Sequence, residues 1–312
     1  MENNELNRND AASPVSAEKK HKTHLAISLS IIAAALVIAA IFAIVAVVGS
    51  FISKEGLSLD GTKLNGQNAS ELYNGIESGF ANNTNYTVSL TKHGIAAANA
   101  SGTALSIEIT SHIDSRVDGD NFYYKKTTTT KYRSAITDEM TTDEAVIEIT
   151  VVDGVVYFVE AGQKLKVKVN SDEYRKTFDV ISELVWENGG SIFKDAKLTE
   201  VEGGYAVSAT TFDKKLVSAD ARSFFNGTKG EFIWALMPVY SGENCSVVYD
   251  SDSRPISSSY GYTISNDALS ALVAPLTGSV AMSSTVNYGG VTVTKPADAA
   301  EYIEVSADQL PK

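Results

Sequence analysis

Few side chains in this sequence have the types and spacing that chemistry requires. After residue 53 the chain has two histidines, His93 and His112, and His112 lies two residues before Asp114. Residues two apart on a β-strand project from the same face, so this pair could act as a general base or contribute to a metal site. A metal site needs three or four converging ligands, and no other His, Cys or carboxylate cluster has suitable spacing. Solvated strand residues are the favoured interpretation.

Other motifs that carry chemistry are missing or incomplete. The adjacent carboxylates at residues 138–139 and 143–144 are predicted to lie in an exposed polar loop, without the apolar setting that raises a carboxyl pKa. Asp250 and Asp252 resemble the start of a calcium loop but lack its glycine and its final glutamate, which favours a plain turn. No nucleophile elbow and no phosphate-binding glycine loop occurs. We therefore expect no catalytic residue, no metal and no cofactor, and we predict that the chain is not an enzyme.

Composition limits the partners. The 312 residues are 44% hydrophobic, which is typical of a folded protein. The 26 basic and 38 acidic residues give a net charge of -12 and a pI near 4.8. Such a chain repels a phosphate backbone, so nucleic acid is not an expected partner. The single cysteine, Cys245, permits no internal disulfide.

A long apolar segment predicts attachment to a membrane. It begins at Leu25, ends at Ser53 and contains no charged residue. A helix of this length can cross a hydrocarbon core of about 30 Å. The alternative is a cleaved signal peptide, whose apolar region is usually only about 7 to 15 residues long. We therefore predict a transmembrane helix over residues 25–53.

Basic residues predict the orientation of this helix. Lys19, Lys20 and Lys22 precede the apolar segment, whereas the first ten residues after it contain two lysines. The positive-inside tendency then places the N-terminus in the cytoplasm and the rest of the chain outside, as a single-pass protein of the cell membrane. The predicted organisation is a disordered cytoplasmic tail (1–24), the transmembrane helix (25–53), a connector (54–67) and an extracytoplasmic domain (68–312).

The extracytoplasmic domain alternates apolar and polar residues, which predicts half-buried strands. Turn signals such as Asp153-Gly154 and Gly203-Gly204 separate these strands as hairpins. Three helices are predicted among them, from Asn68 to Gly79, from Ser171 to about Asn188 and over residues 213–225. Hairpins with a few helices form an α+β pattern with a mostly antiparallel sheet. The predicted strands cover residues 86–91, 105–110, 122–132, three segments between 146 and 169, and 198–201, 205–209, 246–249, 256–264, 280–288 and 291–294.

The order of these elements resembles a known family. The helix at 71–79 precedes the strand Asn-Tyr-Thr-Val at 85–88, and a Tyr-rich meander contains Asp-Gly-Val-Val-Tyr at 153–157. Near the end, Val-Tyr-Asp at 248–250 is followed by Pro-Ile at 255–256. Together these segments resemble the extracytoplasmic lipoprotein-carrier-like domains of the LolA/LppX-like superfamily, over residues 68–306. The resemblance is one of pattern and includes no signature motif.

This resemblance implies a curved antiparallel half-barrel sheet packed on a few helices, with an apolar cavity that binds acyl chains in some relatives. The chain departs from the usual members because it lacks a lipobox cysteine and has a predicted membrane helix instead. A chain fixed to one membrane does not diffuse as a shuttle. The expected function is a membrane-anchored binding protein for a lipid or another apolar ligand. The alternative is a structural or interaction domain of the cell envelope that contacts the cell wall or another envelope protein and has no small-molecule ligand.

Large apolar side chains are the predicted lining of such a cavity, because ligand pockets are mostly apolar. Core packing explains the same residues equally well. The predicted ligand-lining residues are Phe158, Phe178, Ile181, Val185, Trp186 and Trp234.

Overall fold

The described part of this protein consists mainly of long β-strands whose side chains alternate between the two faces of a sheet. The computed structural model describes residues 62–63, 83–100, 103–134, 137–168, 196–209, 214–252, 254–266, 274–306 and 309, all within the unit Ile52–Lys312. The strands are β1 (Thr62–Lys63), β2 (Asn85–Ala100), β3 (Thr103–Asp118), β4 (Asn121–Arg133), β5 (Met140–Val152), β6 (Val155–Glu160), β7 (Gln163–Lys168), β8 (Ala196–Val201), β9 (Gly204–Ala209), β10 (Pro238–Asp250), β11 (Pro255–Asn266), β12 (Leu276–Tyr288) and β13 (Ile303–Glu304). The helices are α1 (Lys214–Phe225), α2 (Phe232–Ala235) and a 3-10 turn (Ala299–Glu301).

The thirteen described strands form one curved sheet in the order β1-β8-β9-β10-β11-β12-β2-β3-β4-β5-β6-β7-β13. Neighbours are antiparallel except β13, which runs parallel to β7. Strands β2 to β7 follow one another as a meander. The late strand β12 pairs with β2 along its whole length, from Leu276 beside Ala98 to Tyr288 beside Tyr86. The two halves of the chain therefore meet at the middle of the sheet.

One face of this sheet carries the hydrophobic core. Leu90 on β2 lies opposite Ile113 on β3, and both side chains are fully buried. Val247 on β10 belongs to the same face and is equally buried. We call the face that carries these three side chains the inner face, and the opposite one the outer face. Because side chains alternate along each strand, the outer face receives the polar partners such as Thr91 and His112.

The hairpins predicted at Asp153-Gly154 and Gly203-Gly204 are confirmed. Asp153 and Gly154 join β5 to β6 with backbone φ angles of 53° and 73°. Two consecutive positive φ angles give a turn whose twist matches that of the flanking strands, and Asp-Gly is a favoured pair for it. The Asp250–Asp252 segment is the plain turn expected, since the Asp250 carboxylate accepts hydrogen bonds from the backbone N–H groups of Asp252 and Arg254.

Helix α1 is also confirmed, at residues 214–225. Val217, Ala221 and Phe225 recur every four residues and are completely buried, so they form the apolar stripe that holds the helix on the sheet. The helix ends at Phe225. The N–H of the next residue, Asn226, donates to the Arg222 carbonyl, and Gly227 follows with a φ of 68°. Helix α2 has four residues, too few for a periodic pattern, and was not predicted.

The predicted α+β class is wrong, because the described part of the chain is predominantly a single antiparallel sheet with few helices. Several strands are longer than predicted, among them β3, which continues to Asp118, and β10, which begins at Pro238. Strand β2 continues through residues 92–100, and β5 begins at Met140, so the acidic residues 143–144 are in a strand and not in a loop. Residues 140–145 are exposed on both faces, which removes the alternation that reveals a strand. Residues 291–294, predicted as a strand, have no regular structure.

Several predictions fall on parts of the chain that the structure does not describe. These are the tail (1–24), the apolar segment (25–53) and the helices predicted over 68–79 and 171–188. Within the described ranges, no helix is both long and apolar enough to span a membrane. The predicted connector (54–67) includes β1, which pairs with β8.

A C-terminal strap, residues 298–305, covers the β7 edge of the sheet. Ile303 pairs with Leu165, and the Val305 N–H donates to the Lys166 carbonyl at 3.0 Å. On the outer face, the Tyr302 ring packs edge-on against Tyr157 with centroids 5.3 Å apart. An uncovered strand edge is a template for pairing with another chain, and residues 303–305 of the strap occupy part of this edge.

The docking of this strap should depend on pH. Lys164 Nζ donates to Asp298 at 2.6 Å and to Glu301 at 2.5 Å, and this lysine lowers the pKa of Asp298. A lowered pKa means that the ion pair stabilises the docked strap at neutral pH and is lost as the pH falls through the lowered value. Hydrogen exchange should therefore show lower protection of the Ile303 and Val305 amides at pH 3 than at pH 7. Lys164→Met should lower their protection at pH 7 and abolish the pH difference; an unchanged difference would contradict this assignment.

Candidate functional site

The inner face beneath helix α1 brings together charged and aromatic side chains from distant parts of the chain. The helix crosses this face close to Gly94 on β2, where a side chain would collide with it. A Cβ at Gly94 would lie 2.5 Å from Cε1 of Phe224 and 3.0 Å from Cζ of Phe225. The two phenyl rings thus occupy the space that glycine leaves free. The missing Cβ of Gly94 determines how closely the helix approaches the sheet.

An ionic cluster holds the middle of α1. The carboxylate of Asp220 accepts hydrogen bonds from Lys92 Nζ at 2.7 Å, from the Tyr260 hydroxyl at 3.0 Å and from the Tyr262 hydroxyl at 2.7 Å. We call these four residues the Asp220 cluster. The side chains of Lys92 and Asp220 are only 11% and 13% exposed, so water contributes little to their solvation. Their charges are compensated by each other and by the hydroxyl groups, as buried ions require.

Aromatic rings complete the surroundings of Lys92. Its ammonium lies 4.8 Å from the centre of the Phe224 ring and 5.5 Å from that of Tyr260, within the range of cation–π attraction. Burial raises the pKa of Tyr262 well above its ordinary value, with the negative charge of Asp220 as the next cause. The Tyr262 hydroxyl therefore stays protonated at physiological pH and keeps donating to the carboxylate.

A second ion pair holds the first residue of α1. Lys214 Nζ donates to the Tyr240 carbonyl at 2.6 Å and pairs with the carboxylate of Glu243. Glu243 is buried on strand β10, whereas the Lys214 side chain is more than half exposed. The helix is thus attached to the sheet by polar contacts at Lys214 and Asp220 and by apolar packing along its buried stripe.

A polar row crosses the inner face beside this cluster. Lys92 on β2, Ser111 on β3 and Thr128 on β4 lie directly opposite one another in the sheet. Ser111 lies between the apolar residues Ile109 and Ile113 on the inner face of its strand. The serine is 3% exposed, and its hydroxyl has no hydrogen-bond partner in the described part of the chain. Most buried polar groups in proteins are paired, so this hydroxyl is a candidate contact for a bound molecule or water.

The close approach at Gly94 gives a direct test of helix docking. We expect Gly94→Ala to lower the free energy of unfolding by about 1–3 kcal/mol, the usual cost of overpacking a core. Urea-dependent pulse proteolysis of the chain measures this change. In a Phe224→Leu background, where the ring is gone, the same substitution should cost markedly less. Equal costs in both backgrounds would show that Phe224 does not set the spacing.

Two of the predicted ligand-lining residues are described. Phe158 lies on the inner face of β6, is 2% exposed and packs in the main hydrophobic core. Trp234 lies on α2, partly buried, with the Arg222 guanidinium 4.8 Å from its ring centre. Their described contacts do not bring the two rings together. The other four, Phe178, Ile181, Val185 and Trp186, lie outside the described residues.

Sequence analysis missed Lys92, Ser111 and Asp220. A signal for the first two was present, because each is a polar residue at a strand position where alternation predicts an apolar one. Asp220 gave no signal, since a carboxylate in the middle of a helix is usually a solvated residue. Its partners, Lys92 and Tyr262, are 128 and 42 residues away in sequence.

His93 and His112 both lie on the outer face of the sheet. His112 is a solvated strand residue, as predicted. Its Nε2 is 3.4 Å from the Asp114 carboxylate, its Nδ1 is 3.1 Å from the Thr91 hydroxyl, and the ring is nearly half exposed. His93 is more buried, with Nε2 3.4 Å from Glu108. In the described ranges, no three His, Cys, Asp or Glu side chains are grouped as a metal ion would need.

Comparisons with known proteins give weak likenesses. No protein-family model and no curated protein matches the sequence. Among solved structures, LprF from Mycobacterium bovis is similar with 11% identity and a TM-score of 0.27, over 74% of this chain and 97% of that one. A DUF1329 family protein from Desulfovibrio piger has 10% identity and a TM-score of 0.18, over 72% and 94%. TM-scores this low establish no function. The LolA/LppX-like resemblance implies a curved antiparallel sheet, and the observed sheet confirms this part of the prediction.

Proposed function

We propose that this chain is a binding protein for a lipid or another apolar ligand, and not an enzyme, and that the ligand lies on the inner face beside helix α1. The observation that carries this proposal is the Ser111 hydroxyl, which is buried between Ile109 and Ile113 and has no hydrogen-bond partner among the described residues. A core that only stabilises the fold gains nothing from an unpaired hydroxyl, which costs about 1–3 kcal/mol. A ligand that pairs with this group recovers that energy on binding.

The side chains around Ser111 are mostly apolar. Leu90, Ile109 and Ile113 surround Ser111 with hydrophobic side chains, and tyrosines with both an apolar ring and a hydroxyl line the part of the inner face under α1. Pockets that bind small molecules combine apolar lining with a few placed polar groups. Helix α1, held at Lys214 and Asp220, closes one side of this surface.

The proposed place of action is the outer side of a membrane. The apolar segment from Leu25 to Ser53 would hold the chain there, with the sheet on the side opposite the lysine-rich tail. Alkaline carbonate should leave the full chain in the membrane fraction, and deletion of residues 25–53 should release it. In intact cells, external protease should reach the sheet but spare a tag on the N-terminus. A tag cleaved before the sheet would contradict this orientation.

Analysis of co-purifying lipid tests the binding function. The full chain, extracted in mild detergent, should retain a discrete lipid species in a fixed ratio to protein, detected by mass spectrometry after solvent extraction. Ser111→Leu, which fills the site from the inner face, should lose this lipid. Ser106→Leu, on the outer face of the same strand, is the matched control and should retain it. Wild-type protein without lipid above detergent background would refute the proposal and favour an interaction domain of the cell envelope.

A further inference from the structure

Residues 231–239, which contain α2 and lead into β10, expose apolar side chains to solvent. We call these residues the α2 segment. Met237 is 63% exposed and Val239 is 46% exposed, and Trp234 and Leu236 beside them are partly buried. Single apolar residues scattered over a surface are ordinary, but neighbouring ones beside a tryptophan form an apolar patch, which is typical of a contact site.

The backbone at Met237 also departs from what the fold alone favours. Its φ angle is 50°, in the left-handed region, and its N–H donates to the Trp234 carbonyl at 3.4 Å where α2 ends. Glycine is the usual residue at such a helix end, because any other side chain strains the backbone there. Met237 thus combines a strained backbone with a side chain left in water. A contact made by this side chain outside the chain would account for both.

Basic side chains adjoin the apolar patch. The Arg222 guanidinium lies 4.8 Å from the centre of the Trp234 ring, and Lys229 Nζ lies 5.0 Å from that of Tyr132. Both cations are exposed, and neither is paired with a carboxylate in the described part of the chain. Between residues 222 and 239 the sequence contains one acidic residue, Glu231. The local charge is therefore positive, in a chain whose net charge is -12.

This combination matches the surface of a lipid bilayer. Tryptophan is enriched at the boundary between headgroups and acyl chains, where apolar side chains enter the bilayer and basic ones remain among the headgroups. Anionic lipids attract lysine and arginine close to the surface. A stable protein interface buries about 800 Å² on each partner, which is more than so short a segment supplies. A bilayer has no such minimum area.

The membrane anchor proposed at residues 25–53 would keep a bilayer within reach. Only residues 54–61 lie between this segment and Thr62 of β1. At no more than about 3.6 Å per residue, this stretch spans at most about 30 Å. A tethered site has a high effective concentration, so a weak contact by the α2 segment is sufficient.

We infer that the α2 segment inserts Met237 and Val239 into the surface of an anionic lipid bilayer, with Arg222 and Lys229 at the lipid headgroups. This inference rests on the proposed place of action and adds a second contact with the same membrane. The Trp234 ring lies at the boundary between headgroups and acyl chains. Cation–π contact with this ring holds Arg222 beside the inserted side chains.

Fluorescence of the full chain, reconstituted into lipid vesicles, tests the inference. Met237→Cys or Val239→Cys is labelled with nitrobenzoxadiazole, and the wild-type chain, whose Cys245 is buried, serves as the labelling blank. In vesicles of phosphatidylcholine and phosphatidylglycerol, both labels should show the long lifetime of this dye in a bilayer and should be quenched by lipids with brominated acyl chains. The same label at Ile303→Cys, a position 66% exposed on the C-terminal strap, should remain in water.

Matched variants, with the label at residue 239, test the apolar contribution. Asparagine tolerates the left-handed conformation, so Met237→Asn keeps the backbone and removes the apolar side chain. It should lower the ratio of bilayer-embedded to aqueous dye by about tenfold, as loss of a buried methionine predicts. Ile303→Asn is the control and should leave this ratio unchanged. Unfolding in urea should show that Met237→Asn is as stable as wild type.

Substitution of the cations tests the charge of the partner. Arg222→Gln and Lys229→Gln should each lower the same ratio by about fivefold in vesicles that contain phosphatidylglycerol. In vesicles of phosphatidylcholine alone, neither substitution should change it.

The outcomes that contradict the inference differ from those that contradict the membrane anchor. Labels at residues 237 and 239 that remain in water would overturn the inference, even where alkaline carbonate leaves the chain in the vesicles. Embedded labels that respond neither to phosphatidylglycerol nor to Arg222→Gln and Lys229→Gln would overturn the anionic bilayer as the partner. Release of the chain by carbonate would instead contradict the proposed anchor, on which the inference rests.

Discussion

Asp220→Ala should lower the free energy of unfolding by about 3–5 kcal/mol, as removal of one partner of a buried ion pair does. The substitution removes the counter-charge of Lys92, whose side chain is only 11% exposed. It also removes the acceptor of the Tyr260 and Tyr262 hydroxyl groups. Pulse proteolysis in urea, with the full chain in mild detergent, measures the change. Asp220→Asn, which keeps an acceptor oxygen but no charge, should fall between wild type and alanine.

A double variant separates the ion pair from the packing of α1. Lys92→Met with Asp220→Leu removes both charges and keeps apolar volume, so it should be more stable than Asp220→Ala alone. The control is Arg254, which pairs with Asp250 at 2.8 Å in the turn between β10 and β11. Arg254→Met should lower the free energy of unfolding by no more than about 1 kcal/mol. A loss below about 1 kcal/mol in Asp220→Ala would show that the Asp220 cluster does not hold the helix.

Phe158→Ala is expected to destabilise the protein by a similar amount, about 3–5 kcal/mol, because it empties a fully buried ring position in a packed core. Phe158 lies between Ile149 and Leu165 in the sheet and is 2% exposed. Thermal unfolding followed by far-UV circular dichroism reports the change. Phe158→Leu keeps most of the volume and should cost less than about 1.5 kcal/mol.

The same pair of variants tests the prediction that Phe158 lines a ligand cavity. A ring that faced an open cavity would leave little new empty space when truncated, so the unfolding of ligand-free protein would change little. Lipid retention would then fall while stability stayed near that of wild type. Large destabilisation with lipid retention in the leucine variant would assign Phe158 to the core.

Local residue patterns were sufficient for the short-range elements. Asp153-Gly154 specifies a hairpin because these two residues adopt positive φ angles, and Val217, Ala221 and Phe225 specify the buried stripe of α1 by their spacing alone. Strand ends were harder to predict. Where both faces are exposed, as at residues 140–145 of β5, no alternation marks the strand.

The site illustrates why the rest could not be predicted. Lys92 and Ser111 were visible as polar interruptions of apolar strands, but their adjacency depends on the register of β2 against β3. Asp220 reaches Lys92 only because β12 returns to pair with β2 and places α1 over Gly94. Pairing between strands so far apart in sequence is decided by the burial of the whole inner face, and no local motif encodes it.

The sequence by itself thus determined the alternation of faces, the tight turns, the periodicity of α1 and the acidic balance of the chain, because each depends on residues close together along it. Tertiary structure alone decided the order of the thirteen described strands and the predominance of sheet over helix. Tertiary structure alone also brought Lys92, Ser111 and Asp220 together on the inner face. Those features arise from contacts between distant segments, which form only when the long strands bury their shared apolar face together.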